Sequence, residues 1–262
     1  MGKSKTISYI LLPEWSIAQR GKYLIISGGA DARFEIELES NDPSFFSALK
    51  SDTTFTRSKL GVVDQRVLEE LTAAEIIVPK LQKNKTLRVT VLGDSSELTP
   101  TANASVKVVT AGQDYDLSLI VRVQSTYSDL LKGLDYQTIT KPHLFVDAAF
   151  HHTLSIGPLV FPGETACIAC LQGRVSTRWG DEAPPIKPLV TKEYGKLVSE
   201  LVTAELARIA KDDTTLTNKT ITWNFRDRTT KKDLLLKVPM CPVCAQNSID
   251  QSGALALPWS KV

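Results

Sequence analysis

Long apolar stretches are missing from this sequence. No segment approaches the ~20 consecutive apolar residues of a membrane-spanning helix. The amino-terminal end begins with basic residues, but its apolar run from Tyr9 to Leu12 stops at Pro13, too short for the apolar core of a signal peptide. We therefore expect a cytoplasmic protein with no membrane partner.

An excess of charge of one sign is also missing. The 31 Lys and Arg residues nearly balance the 29 Asp and Glu residues, leaving a net charge of +2 over 262 residues. Binding to nucleic acid or to an anionic membrane usually needs a concentrated basic surface, and no long basic run is present. The sequence therefore predicts no nucleic-acid partner. Its 42% hydrophobic and 23% charged residues are ordinary for a globular protein that buries a core.

Common catalytic motifs are not found either. The histidines are His143, His151 and His152. The adjacent pair follows Asp147, but no nucleophile motif or metal-spaced carboxylate accompanies it, so we expect the histidines to have turn or surface roles. Ser95 and Ser96 lack the Gly-x-Ser-x-Gly surroundings of a hydrolase nucleophile. We predict no catalytic residue in the chain.

Cysteine is scarce, yet its four residues are the most informative in the sequence. They form the Cys-x-x-Cys pairs Cys167/Cys170 and Cys241/Cys244, which are far apart along the chain. This spacing within each pair lets both thiolates turn toward one ion, and two pairs complete the tetrahedral four-sulfur shell of zinc. Such a shell has no open position for water, so we predict a structural zinc.

Three alternatives for the cysteines stay open. They are two thioredoxin-like redox pairs, two disulfides, or buried cysteines without a ligand. The absence of a signal sequence argues against an oxidising compartment, and therefore against the disulfides.

The N-terminal segment, positions 1–80, has the pattern of a small separate unit. Short strands are predicted at Trp15–Ala18, Tyr23–Ser27 and Arg33–Leu38, divided by glycine-containing turns. In the third strand apolar and charged residues alternate, as in a strand with one buried face. Helices are predicted at Pro43–Ser51, near Thr56–Leu60 and at Val63–Ala74.

This order of elements resembles a winged helix-turn-helix, a fold often used to bind DNA. The third predicted helix and the residues beside it carry four acids against the single Arg66, which would repel phosphate. A strand-and-helix pair of this kind can instead accept an extended peptide as an added strand. The candidate peptide-binding residues are Arg33, Phe34, Glu35, Ile36, Glu37, Arg66 and Glu70. A solvated surface would explain the charged members of this set equally well.

A polar, basic segment divides the chain, and we place the linker at residues 81–85. Residues 86–262 then follow an α/β pattern. Apolar strands typical of a parallel sheet covered on both faces are predicted at Leu87–Leu92, Val106–Thr110, Leu117–Val123 and His143–Phe150. Helices are predicted at Tyr127–Leu134 and Lys192–Lys211, a β-hairpin within Thr220–Val238, and a Pro-rich loop available to a partner at Trp179–Pro188.

An α/β sheet followed by two Cys-x-x-Cys pairs, with a long helix and a hairpin between them, resembles the ThiF/MoeB superfamily of ubiquitin-activating-like adenylating enzymes. The segment GPLVFPGETACIACLQGRV, residues Gly157–Val175, looks like the version found in leader-peptide-binding partners of YcaO cyclodehydratases. Those proteins take part in azole-modified (microcin B-type) peptide biosynthesis. The resemblance covers nearly the whole chain, although its N-terminal half is matched by shape alone. It implies a winged-helix precursor-recognition domain (1–80) and a degenerate ThiF-like Rossmann-type domain (86–262) with structural zinc.

Two departures from the adenylating members concern ATP. Their Gly-x-Gly-x-x-Gly loop brings backbone N–H groups close to phosphate, whereas Gly93–Leu98 keeps one glycine and adds two acids. They also carry an Asp-x-x-Asp-Asn stretch whose aspartate binds the metal that accompanies ATP. The matching stretch, Leu119–Thr126, has no carboxylate. We therefore expect neither ATP binding nor independent enzymatic activity.

The resemblance implies a non-catalytic partner subunit. Such a subunit would bind the leader of a ribosomally synthesised precursor peptide between the strand Arg33–Leu38 and the helix Val63–Ala74, and present it to a YcaO-type ATP-dependent cyclodehydratase. A homodimer through the ThiF-like domain is a further implication. The alternatives are an active adenylating enzyme that activates a peptide or small-protein C-terminus, and a winged-helix DNA regulator with a zinc ribbon.

Overall fold

The computed structural model describes most of the chain and divides it into two compact units, 1–83 and 84–262. The described residues are 8–12, 14–30, 32–38, 55–56, 62–74, 76–79, 86–94, 96, 98–110, 112–184, 187–239 and 241–244. The predicted helix at 43–51 and the predicted linker at 81–85 lie outside them. Both therefore stay predictions.

Two three-stranded antiparallel sheets and one helix make up the described part of the first unit. In one sheet β1 (Ser8–Leu11) lies between β5 (Phe55–Thr56) and β6 (Ile77–Pro79). In the other, β2 (Ser16–Arg20), β3 (Tyr23–Ser27) and β4 (Arg33–Glu37) pair in sequence order. The helix is α1 (Val62–Ala73).

The core of this unit follows from the sequence periodicity. Leu24 and Ile26 alternate along β3 and are fully buried, as period-two spacing on one face requires. On α1, Val67, Leu68 and Leu71 lie on one helical face and are buried in the same apolar cluster. That cluster holds α1 to the β2–β4 sheet.

Two features of this unit differ from the predictions. Phe55 and Thr56 form a strand that pairs with β1, so the helix predicted near Thr56–Leu60 is wrong at its first residue. Phenylalanine and threonine fit a pleated surface well, and pairing satisfies their backbone groups. The strands β1 and β6 were not predicted. Pro79 ends β6 at the edge of its sheet, where the missing N–H costs no ladder bond.

A seven-stranded mixed sheet, in the order β13-β12-β11-β10-β9-β7-β8, forms the second unit. The parallel strands are β7 (Leu87–Gly93), β8 (Val106–Val109), β9 (Leu117–Arg122) and β10 (His143–Asp147). Three antiparallel strands continue the sheet: β11 (Thr153–Val160), β12 (Lys219–Asn224) and β13 (Thr229–Leu234). The helices are α2 (Tyr127–Gly133), α3 (Ile168–Trp179) and α4 (Leu189–Ile209), with a 3-10 turn at Tyr136–Thr138.

Both faces of this sheet are covered, which explains why β9 and β10 are buried at every position. Leu119 and Val121 of β9 belong to the apolar cluster that contains Val198, Val202 and Leu206 of α4. The intervening residue Ile120 belongs to a second cluster, with Phe145 of β10 and residues of α2 and α3. The unit is thus a three-layered α/β/α structure. No helix among the described residues is long and apolar enough to cross a membrane.

The strand order reverses at β7, which has β8 on one side and β9 on the other. In open parallel sheets, ligands bind in the crevice outside the carboxyl ends of strands at such a point. At this point Gly93 lies close against β9, and a Cβ atom there would be 2.3 Å from the carbonyl oxygen of Val121. Its φ of +80° also favours glycine. The described residues between β7 and β8 contain no helix whose N-terminus could meet a phosphate group.

Candidate functional site

The four cysteines come together in the second unit, buried and with their sulfur atoms within 4.8 Å of one another. The closest Sγ–Sγ distances are 3.8 Å (Cys167–Cys170), 3.6 Å (Cys167–Cys241) and 3.4 Å (Cys170–Cys244). A disulfide would require about 2.05 Å. Four thiolates at ~2.3 Å from one tetrahedral zinc would lie about 3.8 Å apart. The cluster therefore fits a single divalent ion such as zinc, and the two-disulfide alternative is wrong because all four cysteines are free.

A helix N-terminus positions the first cysteine pair, and a turn positions the second. Cys167 is the extended N-cap of α3, and the N–H groups of Cys170 and Leu171 donate to its carbonyl oxygen at 3.0 and 3.2 Å. The second pair follows a turn in which the N–H of Cys241 donates to the carbonyl of Val238 at 3.1 Å. The N–H of Val238 in turn donates to Cys170 Sγ at 3.3 Å. Such a bond favours the thiolate form of Cys170, which is the form that binds metal.

The electrostatics of the cluster favour a cation. The pKa of Cys170 is lowered, first because the Cys167 thiol donates a hydrogen bond to its sulfur. The pKa of Cys167 is raised for the same reason, and burial raises that of Cys244. Four thiolates this close repel one another, so only part of the cluster would ionise alone. A divalent ion would offset half of the charge of four thiolates, and its binding would release protons.

A buried hydrogen-bond chain reaches the first cysteine pair. The carbonyl oxygen of Lys141 lies 3.1 Å from His143 Nδ1 and can only accept, so Nδ1 carries the proton. His143 Nε2 therefore accepts from the Tyr136 hydroxyl at 2.6 Å. The Tyr136 oxygen accepts from the N–H of Ile168 at 3.1 Å, next to Cys167. The chain fixes the start of α3, where the first cysteine pair lies.

The surface role predicted for the histidines is wrong for His143. That residue is buried in β10, and burial lowers its pKa to about 4, so it is neutral at physiological pH. His151 and His152 lie in the turn after β10, as predicted, with His151 exposed. Nothing in the sequence near His143 indicates its partner Tyr136, although a histidine inside an apolar strand is itself an unusual signal.

The crevice between β7 and β9 is filled by a side chain of the protein itself. Asp94 Oδ2 accepts the backbone N–H groups of Val123, Gln124 and Ser125 at 2.7, 2.7 and 3.1 Å. Its Oδ1 accepts the Ser125 hydroxyl at 2.8 Å. Partial burial works to raise the pKa of Asp94, but these hydrogen bonds hold it below its usual range. Converging N–H groups of this kind bind anions, and here the bound anion is Asp94.

A buried ion pair lies at the carboxyl ends of β9 and β10. Arg122 Nη1 is 3.0 Å from both carboxylate oxygens of Asp147, and the side chains are 3% and 2% exposed. The Tyr127 hydroxyl also donates to Asp147, and the Arg122 guanidinium lies 4.0 Å from the centre of the Tyr127 ring. The stretch Leu119–Thr126 has no carboxylate, and the last residue of β9 within it is the cation Arg122. Sequence reasoning did not predict this pair.

A pocket of about 370 Å³ opens beside this pair. Its lining includes the turn after β10, the C-terminal end of α3 and the loop that follows α3. The lining residues that matter below are Arg122, Tyr127, Phe150, Trp179, Asp181 and Glu182.

The predicted peptide-binding residues lie on β4 and α1 of the first unit. Arg33, Glu35 and Glu37 are exposed, while Ile36 is partly buried against the apolar cluster that includes α1. Phe34 is 49% exposed, so the apolar face predicted for this strand is only partly buried. Arg66 and Glu70 are exposed one turn apart on α1, with 3.9 Å between Arg66 Nε and Glu70 Oε1.

The pairing of β3 with β4 shows which backbone groups lie on the open edge of β4. Hydrogen bonds from the N–H of Gly28 to Ala32 and of Leu38 to Lys22 show which pairs of β3 and β4 are hydrogen-bonded. Because such pairs alternate in an antiparallel ladder, Phe34 and Ile36 bond to β3. The N–H and C=O groups of Arg33, Glu35 and Glu37 therefore point away from β3. Within the described residues, no strand pairs with them.

No protein-family model matches the sequence, and no curated protein matches it. Solved structures with a similar fold include two described as heterocyclases, one in complex with substrate and cofactor (TM-score 0.55) and one named TruD (0.52). Both are 15% identical and cover 91% of this chain, which spans only 40% and 43% of theirs. MccB of E. coli, described as a microcin C7 biosynthetic enzyme, has a TM-score of 0.56 at 12% identity, covering 95% of this chain and 100% of its own. At these identities the likeness shows the fold alone.

The cysteine cluster makes a direct prediction. Cys167→Ser or Cys241→Ser should abolish zinc binding and unfold the second unit, because structural zinc in small sites is linked to roughly 10–16 kcal/mol of apparent binding energy. Zinc content by mass spectrometry and circular dichroism of the purified variants measure this. A soluble, folded variant without metal would contradict the structural role.

The hydrogen-bond chain makes a second, graded prediction. Tyr136→Phe removes the bonds to His143 and Ile168, and should weaken zinc affinity by about 10-fold, the lower end for outer-shell partners. Competition with a chromophoric chelator measures the affinity. Tyr194→Phe is the matched control, since Tyr194 stacks on Phe225 away from the cysteines. Equal affinities in the two variants would show that the chain does not position the site.

Proposed function

We propose that this chain is the non-catalytic partner subunit of a thiazole- or oxazole-forming cyclodehydratase. It binds the leader of a ribosomally synthesised precursor peptide and presents it to a YcaO-type ATP-dependent enzyme. The observation that carries the proposal is the open edge of β4. Fold similarity to two heterocyclases and to a microcin biosynthetic enzyme supports a role in the maturation of such peptides.

The finer fold assignment belongs to the same proposal. Residues 1–80 form a winged-helix recognition domain, and residues 86–262 form a ThiF-like Rossmann-type domain with structural zinc held by the four cysteines. The reversal of strand order at β7 supports the second assignment. A homodimer through the second unit stays a prediction.

Strand addition suits the β4 edge. Arg33, Glu35 and Glu37 present backbone groups there that pair with no strand among the described residues, and main-chain hydrogen bonds to an added strand supply affinity with little sequence preference. Side chains supply the specificity. Phe34 is half exposed, with its ring 5.8 Å from that of Trp15, and offers an apolar contact. Arg66 and Glu70 on α1 offer charged ones.

The second unit supports a scaffold role instead of nucleotide chemistry. Asp94 occupies the N–H groups that would otherwise face a phosphate. Arg122 ends the strand where adenylating members of the resembled superfamily place a metal-binding carboxylate. The Asp94 carboxylate would repel the phosphates of a nucleotide, and the Arg122 guanidinium would repel the accompanying metal ion.

Titration of a labelled leader peptide against this protein alone tests the proposal. The wild-type protein should bind. Glu35→Pro removes one outward N–H and leaves the β3 ladder intact, so the dissociation constant should rise roughly 2- to 10-fold, the worth of one hydrogen bond. Glu35→Ala, which keeps that N–H, is the matched control and should bind more tightly than the proline variant. No binding by this protein, with tight binding by the YcaO-type partner alone, would overturn the assignment.

An active adenylating enzyme is the second candidate. The match to E. coli MccB, described as a biosynthetic enzyme, over the full length of that protein supports a catalytic role. ATP–pyrophosphate exchange by the isolated protein separates the two functions. We expect no exchange above background with leader or full precursor peptide present, because Asp94 and Arg122 occupy the crevice. Exchange that depends on the peptide would establish the second candidate.

A further inference from the structure

The pocket at the carboxyl ends of β9 and β10 has no part in the proposed leader site, which lies in the other unit. Its volume of about 370 Å³ falls within the range of about 300–1,000 Å³ typical of ligand pockets. It lies beside the reversal of strand order, where α/β sheets commonly bind ligands.

Arg122 offers unused hydrogen-bond donors to this pocket. Its Nε donates to the carbonyl of Ser125 at 2.9 Å, and its Nη1 donates to Asp147. Among the described residues, Nη2 has no partner, although the side chain is only 3% exposed. Nη2 is not fully buried, and Arg122 lines the pocket. The N–H donors of Nη2 therefore face the pocket. An acceptor oxygen in the pocket would pair with one of these donors.

The charge around the pocket argues against an anionic ligand. Asp147 already balances Arg122, and Asp181 and Glu182 add two carboxylates to the lining. Asp181 accepts the N–H groups of Tyr127 and Ser128. Even with Arg178, stacked 4.8 Å from the Trp179 ring, carboxylates outnumber cations three to two. These charges favour a neutral acceptor, such as a carbonyl oxygen, over an anion.

Aromatic rings form the walls. The Arg122 guanidinium lies 4.0 Å from the centre of the Tyr127 ring and 5.3 Å from that of Phe150. Phe150 is 42% exposed and Trp179 is 67% exposed, so both offer ring surface to a ligand. Aromatic faces favour planar or apolar groups. A neutral carbonyl beside an apolar group is the chemistry of a peptide segment.

We propose that this pocket binds a polypeptide segment. One backbone carbonyl accepts from Arg122 Nη2, and a neighbouring aromatic or apolar side chain packs against Phe150 and Trp179. This is a second peptide site, separate from the β4 edge, and it goes beyond the proposed leader binding.

Small probes test the pocket on the full zinc-loaded chain. N-acetyl-L-phenylalanine amide carries a neutral carbonyl and an aromatic ring, whereas N-acetyl-L-phenylalanine ends in a carboxylate. Calorimetric or ligand-observed NMR titration should show binding of the amide, at least fivefold weaker binding of the carboxylate, and no binding of ATP. Failure of the amide to bind, or equal binding of the carboxylate or ATP, overturns the proposal.

Variants at the rim avoid the buried ion pair and so preserve the fold. Trp179→Ala should weaken amide binding several-fold, and Glu182→Gln should reduce the preference for the amide to less than twofold. Asp233→Asn is the control, because Asp233 pairs with Thr220 at the end of the sheet opposite the pocket and should change neither probe. An unchanged amide affinity in Trp179→Ala contradicts the proposal. Leader titration is independent, so either site can fail alone.

Discussion

The four-cysteine cluster is the constraint on which the second unit depends, because it joins segments that are far apart in the sequence. The first pair opens α3, and the second follows β13. Two hydrogen bonds also join distant segments near the cluster. Asn218 Oδ1 accepts the N–H of Ala166 at 2.8 Å, and Lys237 Nζ donates to the carbonyl oxygen of Gly163 at 2.9 Å. Once α3 is fixed, its Gln172 helps hold Asp181, which accepts the first N–H groups of α2. The cysteine cluster therefore also shapes the pocket beyond α3.

Much of this fold could be predicted from local patterns, and what could not depends on long-range pairing. The parallel strands were recognisable because β9 and β10 contain short apolar runs, and the cysteine spacing indicated a metal. The strand β5 is two residues long and exists only through β1, so no periodicity marks it. Arg122 and Asp147 belong to different strands and meet because they are register partners in neighbouring parallel strands. The hydrogen bond between His143 and Tyr136 could not be predicted either, since Tyr136 comes from a separate turn.

The side chains along the β4 edge carry charges of both signs. Charged side chains along an edge strand are a common protection against such association. Arg33 pairs with Glu35, and Lys22 with Glu37, so the edge carries both signs of charge. These exposed pairs add little stability, about 0–1 kcal/mol each. In the proposed strand addition they would supply selectivity, because an incoming strand would have to match the charges while its backbone makes the hydrogen bonds.

Asp94 and Arg122 are the two charges on which the proposed absence of nucleotide binding rests. Each charge is already satisfied within the chain, Asp94 by three backbone N–H groups and Arg122 by Asp147. Replacing Arg122 alone would leave Asp147 buried without its partner, at a cost of about 3–5 kcal/mol. Replacing Asp94 alone would free the N–H groups while Arg122 still excluded a metal ion. In the proposed scaffold role, both charges would have to change together before the crevice could accept a nucleotide and its metal ion.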